Sequence, residues 1–338
     1  MRIILFIIFL FTLTATASAE IIYLKSGGAI MGKIETRTDQ YIAVDMGAGT
    51  LTIYYLDQIK KIVPQQSATG QVEEFPESPN QQFTFQFNPP DGISYKAILK
   101  KTIIEDKGKA GGHVQVVTSK TRVNIHRTPS GFTLESVPVF TKVVRDGLEV
   151  HDVIVSLLQD FIISYDLDSM GRILAVHGHE NLMGSMQARF SPEAGENLSA
   201  VFNEQVFTER EVLEWNNRIG VLIGRSVAIG ESWEGTEEYN LPTGGNAVLH
   251  TKTDVIGQTQ CEKRNCLKLR ITYNSKGSAD IEVSGHGIRF IDPATMLIYS
   301  EFVERTAKTH PQIPGQSQNP VKITEKKEFI ADFFKLKL

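Results

Sequence analysis

Cysteine is nearly missing from the 338-residue chain, with only two residues, and beyond residue 19 no apolar run is long enough to span a bilayer. A bundle of membrane-spanning helices is therefore excluded. A basic excess is missing as well: 35 Lys and Arg face 39 Asp and Glu, the formal net charge is −4, and the two signs are mixed along the chain. That balance removes a general electrostatic grip on nucleic acid. There is no G-x-S-x-G nucleophile elbow, and serine-rich stretches such as Ser275-Lys276-Gly277-Ser278 read as loops rather than catalytic sites. What is present is ordinary globular material, 41% hydrophobic and 22% charged, which rules out wholesale disorder and leaves room for about two domains of roughly 150 residues.

The one long apolar run opens the chain. Arg2 precedes an almost unbroken Ile, Leu and Phe stretch from Ile3 to Leu13, followed by the small residues Ala17-Ser18-Ala19. This is the pattern of a secretory signal peptide over residues 1–19 with an A-x-A cleavage site, so a mature chain starting at Glu20 is expected. The alternative, a membrane anchor, needs a run of about 20 residues. No cysteine stands near the cleavage site to carry a lipid. The expected location is exported: periplasmic in a Gram-negative source, secreted otherwise.

Cys261 and Cys266 flank the polar tetrapeptide Glu262-Lys263-Arg264-Asn265 between two strand-like runs. In an oxidising compartment such a pair can form a structural disulfide that pins a hairpin end. The alternatives are a redox pair, which favours C-x-x-C opening a helix, and half of a zinc site, which lacks two nearby ligands.

Residues 20–63 read as five short strands: Ile21 to Lys25, Ala29 to Arg37, Gln40 to Met46, Thr50 to Tyr55, and a last one around Ile59, Ile62 and Val63. So short a chain buries a core only if its sheet curls, which predicts a small five-stranded barrel. The stretches Ile22-Tyr23-Leu24-Lys25-Ser26-Gly27, Ile30-Met31-Gly32-Lys33-Ile34-Glu35, Asp39-Gln40-Tyr41-Ile42 and Ile59-Lys60-Lys61-Ile62-Val63-Pro64 resemble the Sm-like small barrel, particularly the bacterial Sm-like RNA chaperone. That family places a Tyr-Lys-His group on its RNA-binding face, where this chain has Tyr55-Leu56-Asp57. The resemblance therefore implies the barrel and not the nucleic-acid ligand. Gly27 to Lys33 has the spacing of a phosphate-binding loop, but Ile34 stands where a Ser or Thr would hold magnesium.

Residues 64–82, rich in Pro, Gln and Ser, read as an exposed linker. Residues 83–335 return to long strands: Tyr95 to Glu105, His113 to Ile125, Gln159 to Leu167, an arm from Arg172 to His179, then six more from Glu231 to Phe333. A helical segment interrupts them near residues 192–223, with Thr208-Glu209-Arg210-Glu211 as a capping box and Val212, Trp215, Ile219 and Leu222 along one apolar face. The expectation is a mainly β protein: a small barrel plus a large curved antiparallel sheet, a half-barrel, with one helical segment packed on its concave face. This order resembles the half-barrel of lipoprotein-carrier folds. Val227-Ala228-Ile229-Gly230-Glu231-Ser232-Trp233, Leu241-Pro242, Gly285-His286-Gly287 and Ile291-Asp292-Pro293-Ala294-Thr295-Met296-Leu297 resemble a family of exported bacterial proteins of unknown function. Both resemblances imply a fold and bring no catalytic residue.

Candidate chemistry is sparse. On a strand from 172 to 179, His177 and His179 would share one face and could hold a metal together, though a third ligand is absent locally. Asp166 with Asp168, and Glu237 with Tyr239, share strand faces that read as solvated. Trp215 and Trp233 read as core, with Val212, Trp215, Ile219 and Leu222 as candidate pocket lining. The leading expectation is a non-enzymatic envelope protein without cofactor or metal, binding an apolar ligand or lipid, or another envelope protein. A structural adaptor that oligomerises through the small barrel is the alternative, and a metal-dependent hydrolase using His177 and His179 the third.

Overall fold

The computed structural model describes residues 20–24, 29–38, 41–45, 51–64, 81–107, 111–150, 161–191, 203–241, 246–261, 264–275, 281–309 and 321–333. The expected signal peptide (1–19), nearly all of the expected linker (65–80) and the first part of the expected helical segment (192–202) lie outside the described residues. The chain divides into two compact units, one ending at Glu77 and one starting at Ser78.

The first unit is a five-stranded antiparallel sheet of β1 (Glu20–Leu24), β2 (Ala29–Arg37), β3 (Tyr41–Asp45), β4 (Leu51–Tyr55) and β5 (Ile59–Pro64) in the order β4-β3-β2-β1-β5. Strand β2 serves two neighbours: Ala29 to Gly32 pair with β1, while Lys33 to Arg37 pair with β3 across a bulge between Ile34 and Thr36. A bulge adds twist and bends the strand, which wraps the sheet around Ile22, Ile42 and Val44, all fully buried. Ala29 to Lys33 are strand with no helix behind them, so the phosphate-loop spacing is incidental.

The second unit contains β6 (Gln82–Thr84), β7 (Ile93–Asp106), β8 (Gly112–Thr128), β9 (Gly131–Arg145), β10 (Leu148–Val150), β11 (Ile163–Asp168) and β12 (Ile173–His177). Helices α1 (His179–Arg189) and α2 (Glu204–Arg218) follow. The chain then runs through β13 (Ser226–Ala228), β14 (Ser232–Asn240), β15 (Asn246–Cys261), β16 (Arg264–Ser275), β17 (Ile281–Ile291), β18 (Ile298–Thr309) and β19 (Val321–Phe333). Twelve strands form one antiparallel sheet in the order β12-β11-β9-β8-β7-β19-β18-β17-β16-β15-β14, with β10 on the flank of β9, while β6 and β13 pair separately. The sheet does not close; β12 and β14 are its two ends.

Its curvature follows from α2. Laid flat, the ten spacings between β12 and β14 would put them about 48 Å apart at ~4.8 Å each. Helix α2 touches both ends, although its 15 residues reach only about 22 Å. The sheet therefore curls round the helix, and the inward positions of its strands meet α2 in the main core around Phe87, Phe132, Leu267 and Ile291.

Three local expectations are corrected. Strand β9 was not expected, because Pro138 breaks an otherwise alternating run. Pro138 pairs with Thr121 beside a register slip that leaves Val139 opposite no β8 residue, and a bulge is where a sheet accommodates proline. The arm expected to run through His179 stops at His177; Gly178 turns the backbone at φ 116° and His179 opens α1, so the unit has two described α-helices, and a short 3-10 turn over Gly220–Leu222, rather than one helical segment. Helix α2 is capped by Asn203, whose side chain accepts from Val206 N at 2.9 Å, and Thr208 lies inside the helix instead of starting it. Cys261 and Cys266 lie at disulfide distance, Cα to Cα 5.8 Å, across the β15–β16 turn.

Candidate functional site

Between α2 and the concave face of the sheet lies a cavity of about 170 Å³. Its sheet side is built from inward positions of four strands, Tyr95, Ile125, Leu134 and Phe329, and its helix side from Glu211, Glu214, Trp215, Arg218 and Ile219. Residues 211, 215 and 218 recur at i, i+4 and i+7, so one face of α2 presents an aromatic ring between charged groups. Phe87 and Met296 complete the wall.

Aromatic packing fixes the helix side. The Trp215 ring stacks on Tyr165 at 6.1 Å and meets the edge of Phe87 at 5.7 Å, and its Nε1–H donates to the Gly171 carbonyl at 3.0 Å. Gly171 has φ 87°, and a Cβ there would run into the Phe87 ring, so both backbone and space require glycine. The Tyr165 hydroxyl donates to Glu211 Oε2 at 2.7 Å. Burial first, and the Glu211 carboxylate second, push that phenol well above its ordinary range, so it stays a donor.

The C-terminal end of α2 is held by charge. Arg218 Nε and Arg289 Nε each donate to Glu301 at 2.7 Å, and Arg289 Nη1 donates to the Arg218 carbonyl at 2.7 Å, satisfying a helix-end acceptor. Burial would raise the Glu301 carboxyl, but the two guanidiniums outweigh it and hold it down at about 2. The Arg218 guanidinium also lies 4.2 Å over the Phe329 ring.

The Asp292-Pro293-Ala294-Thr295 motif is a buried turn joining β17 to β18. Asp292 Oδ1 accepts from Ala294 N at 2.9 Å, Oδ2 accepts from the Thr295 hydroxyl at 2.8 Å, and the Asp292 carbonyl accepts from Met296 N at 2.7 Å. The turn leaves Met296 at φ 57°, a left-handed conformation that costs a non-glycine residue energy. It places Met296 in the cavity wall.

Farther along the concave face is a second inward cluster of charge. Arg305 of β18 pairs with Glu237 of β14 and lies 4.2 Å over the Tyr273 ring, while Glu325 of β19 accepts from Lys101 of β7 at 2.6 Å. Burial raises the Glu237 carboxyl above its ordinary value, and Arg305, Arg289 and Lys327 offset this only in part. Gly285 and Gly287 on β17 give Arg305 its path: a Cβ on Gly285 would meet the Glu304 carbonyl and the Arg305 stem, and one on Gly287 would meet Val303 Cγ2 at 3.2 Å.

The expected lining residues divide. Trp215 and Ile219 line the cavity; Leu222 lies in the core at 1% exposure, and Val212 is half-buried away from the wall. His177 and His179 do not share a strand face, because the chain changes from strand to helix between them. His177 Nε2 lies 2.9 Å from Asp166 Oδ2 at an exposed edge, and the His179 ring packs 5.7 Å from Phe207. Among the described residues, no group of three or more His, Cys, Asp or Glu is placed to hold a metal. Glu237 and Tyr239 are buried at 9% and 5% exposure, which overturns the solvated reading of their face. Trp233 packs against the main core under the Arg225 guanidinium. No described helix is long and apolar enough to cross a membrane. No family model and no curated protein matches the chain.

Proposed function

We propose that this is an exported, non-enzymatic binding protein that takes a small apolar or amphipathic ligand into the cavity beneath α2. The observation that carries the proposal is the cavity itself, where aromatic and aliphatic side chains of the sheet face Glu211, Glu214 and Arg218 of α2 across one enclosed space. Its charged neighbours are engaged with one another: Glu211 with Tyr165, and Glu301 with Arg218 and Arg289. Size bounds the ligand. Drug-sized molecules occupy roughly 300–1,000 Å³, whereas an apolar cavity of about 150 Å³ holds benzene. A space of about 170 Å³ suits one ring or the end of an acyl chain, and a whole lipid needs α2 to move away. The signal-like residues 1–19 support export, and the unclosed sheet around α2 fits the resemblance to lipoprotein-carrier folds. Native mass spectrometry of protein purified without detergent should show a bound apolar molecule or uptake of added isopropylbenzene; a ligand-free chain that takes up neither refutes the proposal.

A second reading, an adaptor assembled through the first unit, draws on one observation. Among the described residues, β4 and β5 each have a single sheet neighbour, so each leaves an edge able to pair with a second copy. The order β4-β3-β2-β1-β5 and the bent β2 fit the Sm-like resemblance behind this reading. Light scattering would show a defined oligomer that is lost on deleting residues 20–63; a monomer removes the reading.

A further inference from the structure

Two lysines stand face to face on the concave side of the large sheet. Lys101 of β7 and Lys327 of β19 are direct cross-strand partners. Alternation makes both inward positions: the next pair on one side, Leu99 and Phe329, packs in the main core, and on the other side Ile103, opposite Glu325, packs against the apolar cluster around Tyr273 and Val303. Like charges directly opposite each other destabilise a sheet unless something compensates them. Lys101 is compensated, its Nζ lying 2.6 Å from Glu325. Lys327 forms no ion pair among the described residues. The acids on the surrounding inward positions are already taken, Glu325 by Lys101, Glu237 by Arg305, and Glu301 by Arg218 and Arg289.

The floor around this unmatched cation is apolar and only partly covered. Leu99, Ile103 and Val117, the last directly opposite Lys101 on β8, are half-buried, as is Lys327 itself. Val303 faces Lys327 from β18. One unmatched positive charge calls for a monoanion; a phosphate monoester brings close to two charges. From this juxtaposition we infer that the concave face carries a second binding site, in which Lys327, with Lys101 beside it, takes the carboxylate of an aliphatic acid whose chain lies on Leu99, Ile103 and Val117. None of these five residues lines the cavity beneath α2, so the site goes beyond the binding reading above and stands apart from it.

Three probes with one chain and three head charges test it on the full chain by calorimetry at pH 7: octanoate, 1-octanol and octylamine. Octanoate should bind about tenfold more tightly than 1-octanol, the effect of one charge-assisted hydrogen bond, and octylamine no more tightly than 1-octanol. Lys327→Met keeps an unbranched apolar stem and removes the charge; it should bring octanoate to within about twofold of 1-octanol, while Lys327→Arg keeps the preference. Saturating isopropylbenzene, the probe of the cavity, should leave octanoate binding unchanged. Octanoate no tighter than 1-octanol, a preference that survives Lys327→Met, or displacement of octanoate by isopropylbenzene overturns the inference. The last of these would place octanoate in the cavity, so failure of the lysine site and failure of the cavity reading are told apart. The wild-type ranking stands independently of whether the variants fold.

Discussion

Arg305 and Glu237 form an ion pair across the concave face although three strands stand between theirs in the sheet. On a flat sheet β18 and β14 would be about 19 Å apart, so the pair exists only because the sheet curls. The partners respond differently to burial. Glu237 is raised, which means the folded chain holds its proton more tightly than the unfolded chain does. Its contribution to stability is therefore fully present below the unfolded carboxylate value and is lost as pH rises through the folded one. Wild type should gain stability relative to Glu237→Gln as pH falls from 7 towards 4, measured by urea unfolding midpoints; a relative loss contradicts the assignment.

Glu301 carries the opposite sign. Two guanidiniums hold it at about 2 against an ordinary 4.5, so its stabilisation is present above the unfolded value and is lost as pH falls between those two values. Glu301→Gln leaves the buried Arg289 without its counter-charge, while Arg218, about a third exposed, can turn to water; the change should cost about 3 kcal/mol at pH 7, the low end for breaking a buried pair. Loss of less than about 1 kcal/mol in a urea titration, the level of an exposed pair, would show that this link does not hold the end of α2.

Gly285 and Gly287 are expected to be intolerant of side chains. A Cβ at Gly285 collides with the Glu304 carbonyl, which is ladder backbone and cannot swing aside. Gly285→Ala should destabilise by about 1–3 kcal/mol, as overpacking does in tight interiors. Gly257→Ala, where a Cβ would meet nothing within 4 Å, serves as the control and should change thermal stability far less.

Reducing the Cys261–Cys266 pair, or replacing both residues with serine, should lower stability by about 2 kcal/mol, since the loop it closes is short. Equal melting temperatures with and without reductant would show that the pair is not bonded in the protein.

Much of the fold was legible in the sequence, and the reason is periodicity. Strands from Ala29 to Arg37 and from Val321 to Phe333 announce themselves by β-branched residues and alternation, and Trp215 and Ile219 by helical spacing. The charged half of the site was hidden for the same reason. Glu211 on an amphipathic helix, like Glu237, Arg289, Glu301 and Arg305 on alternating strands, reads as solvent-facing because polar residues normally are. Only the curl of the sheet, a property of twelve strands together, turns them inward. Strand β9 and helix α1 were obscured locally, one by Pro138 at a bulge and the other by a single glycine at position 178 that converts strand into helix. The D-P-x-T motif was visible as a turn, but that it aims Met296 into a cavity depends on chain far away in sequence.

The two tryptophans allow the most direct test of the cavity as a binding site. Trp215 lines it and donates its indole N–H to Gly171, while Trp233 packs outside it. Each should give one indole N–H resonance in a nitrogen–proton correlation spectrum. Titration with acetophenone should shift the Trp215 resonance saturably and leave that of Trp233 in place. A spectrum in which neither resonance moves up to the solubility limit, or in which both drift in parallel without saturating, would contradict a ligand site beneath α2.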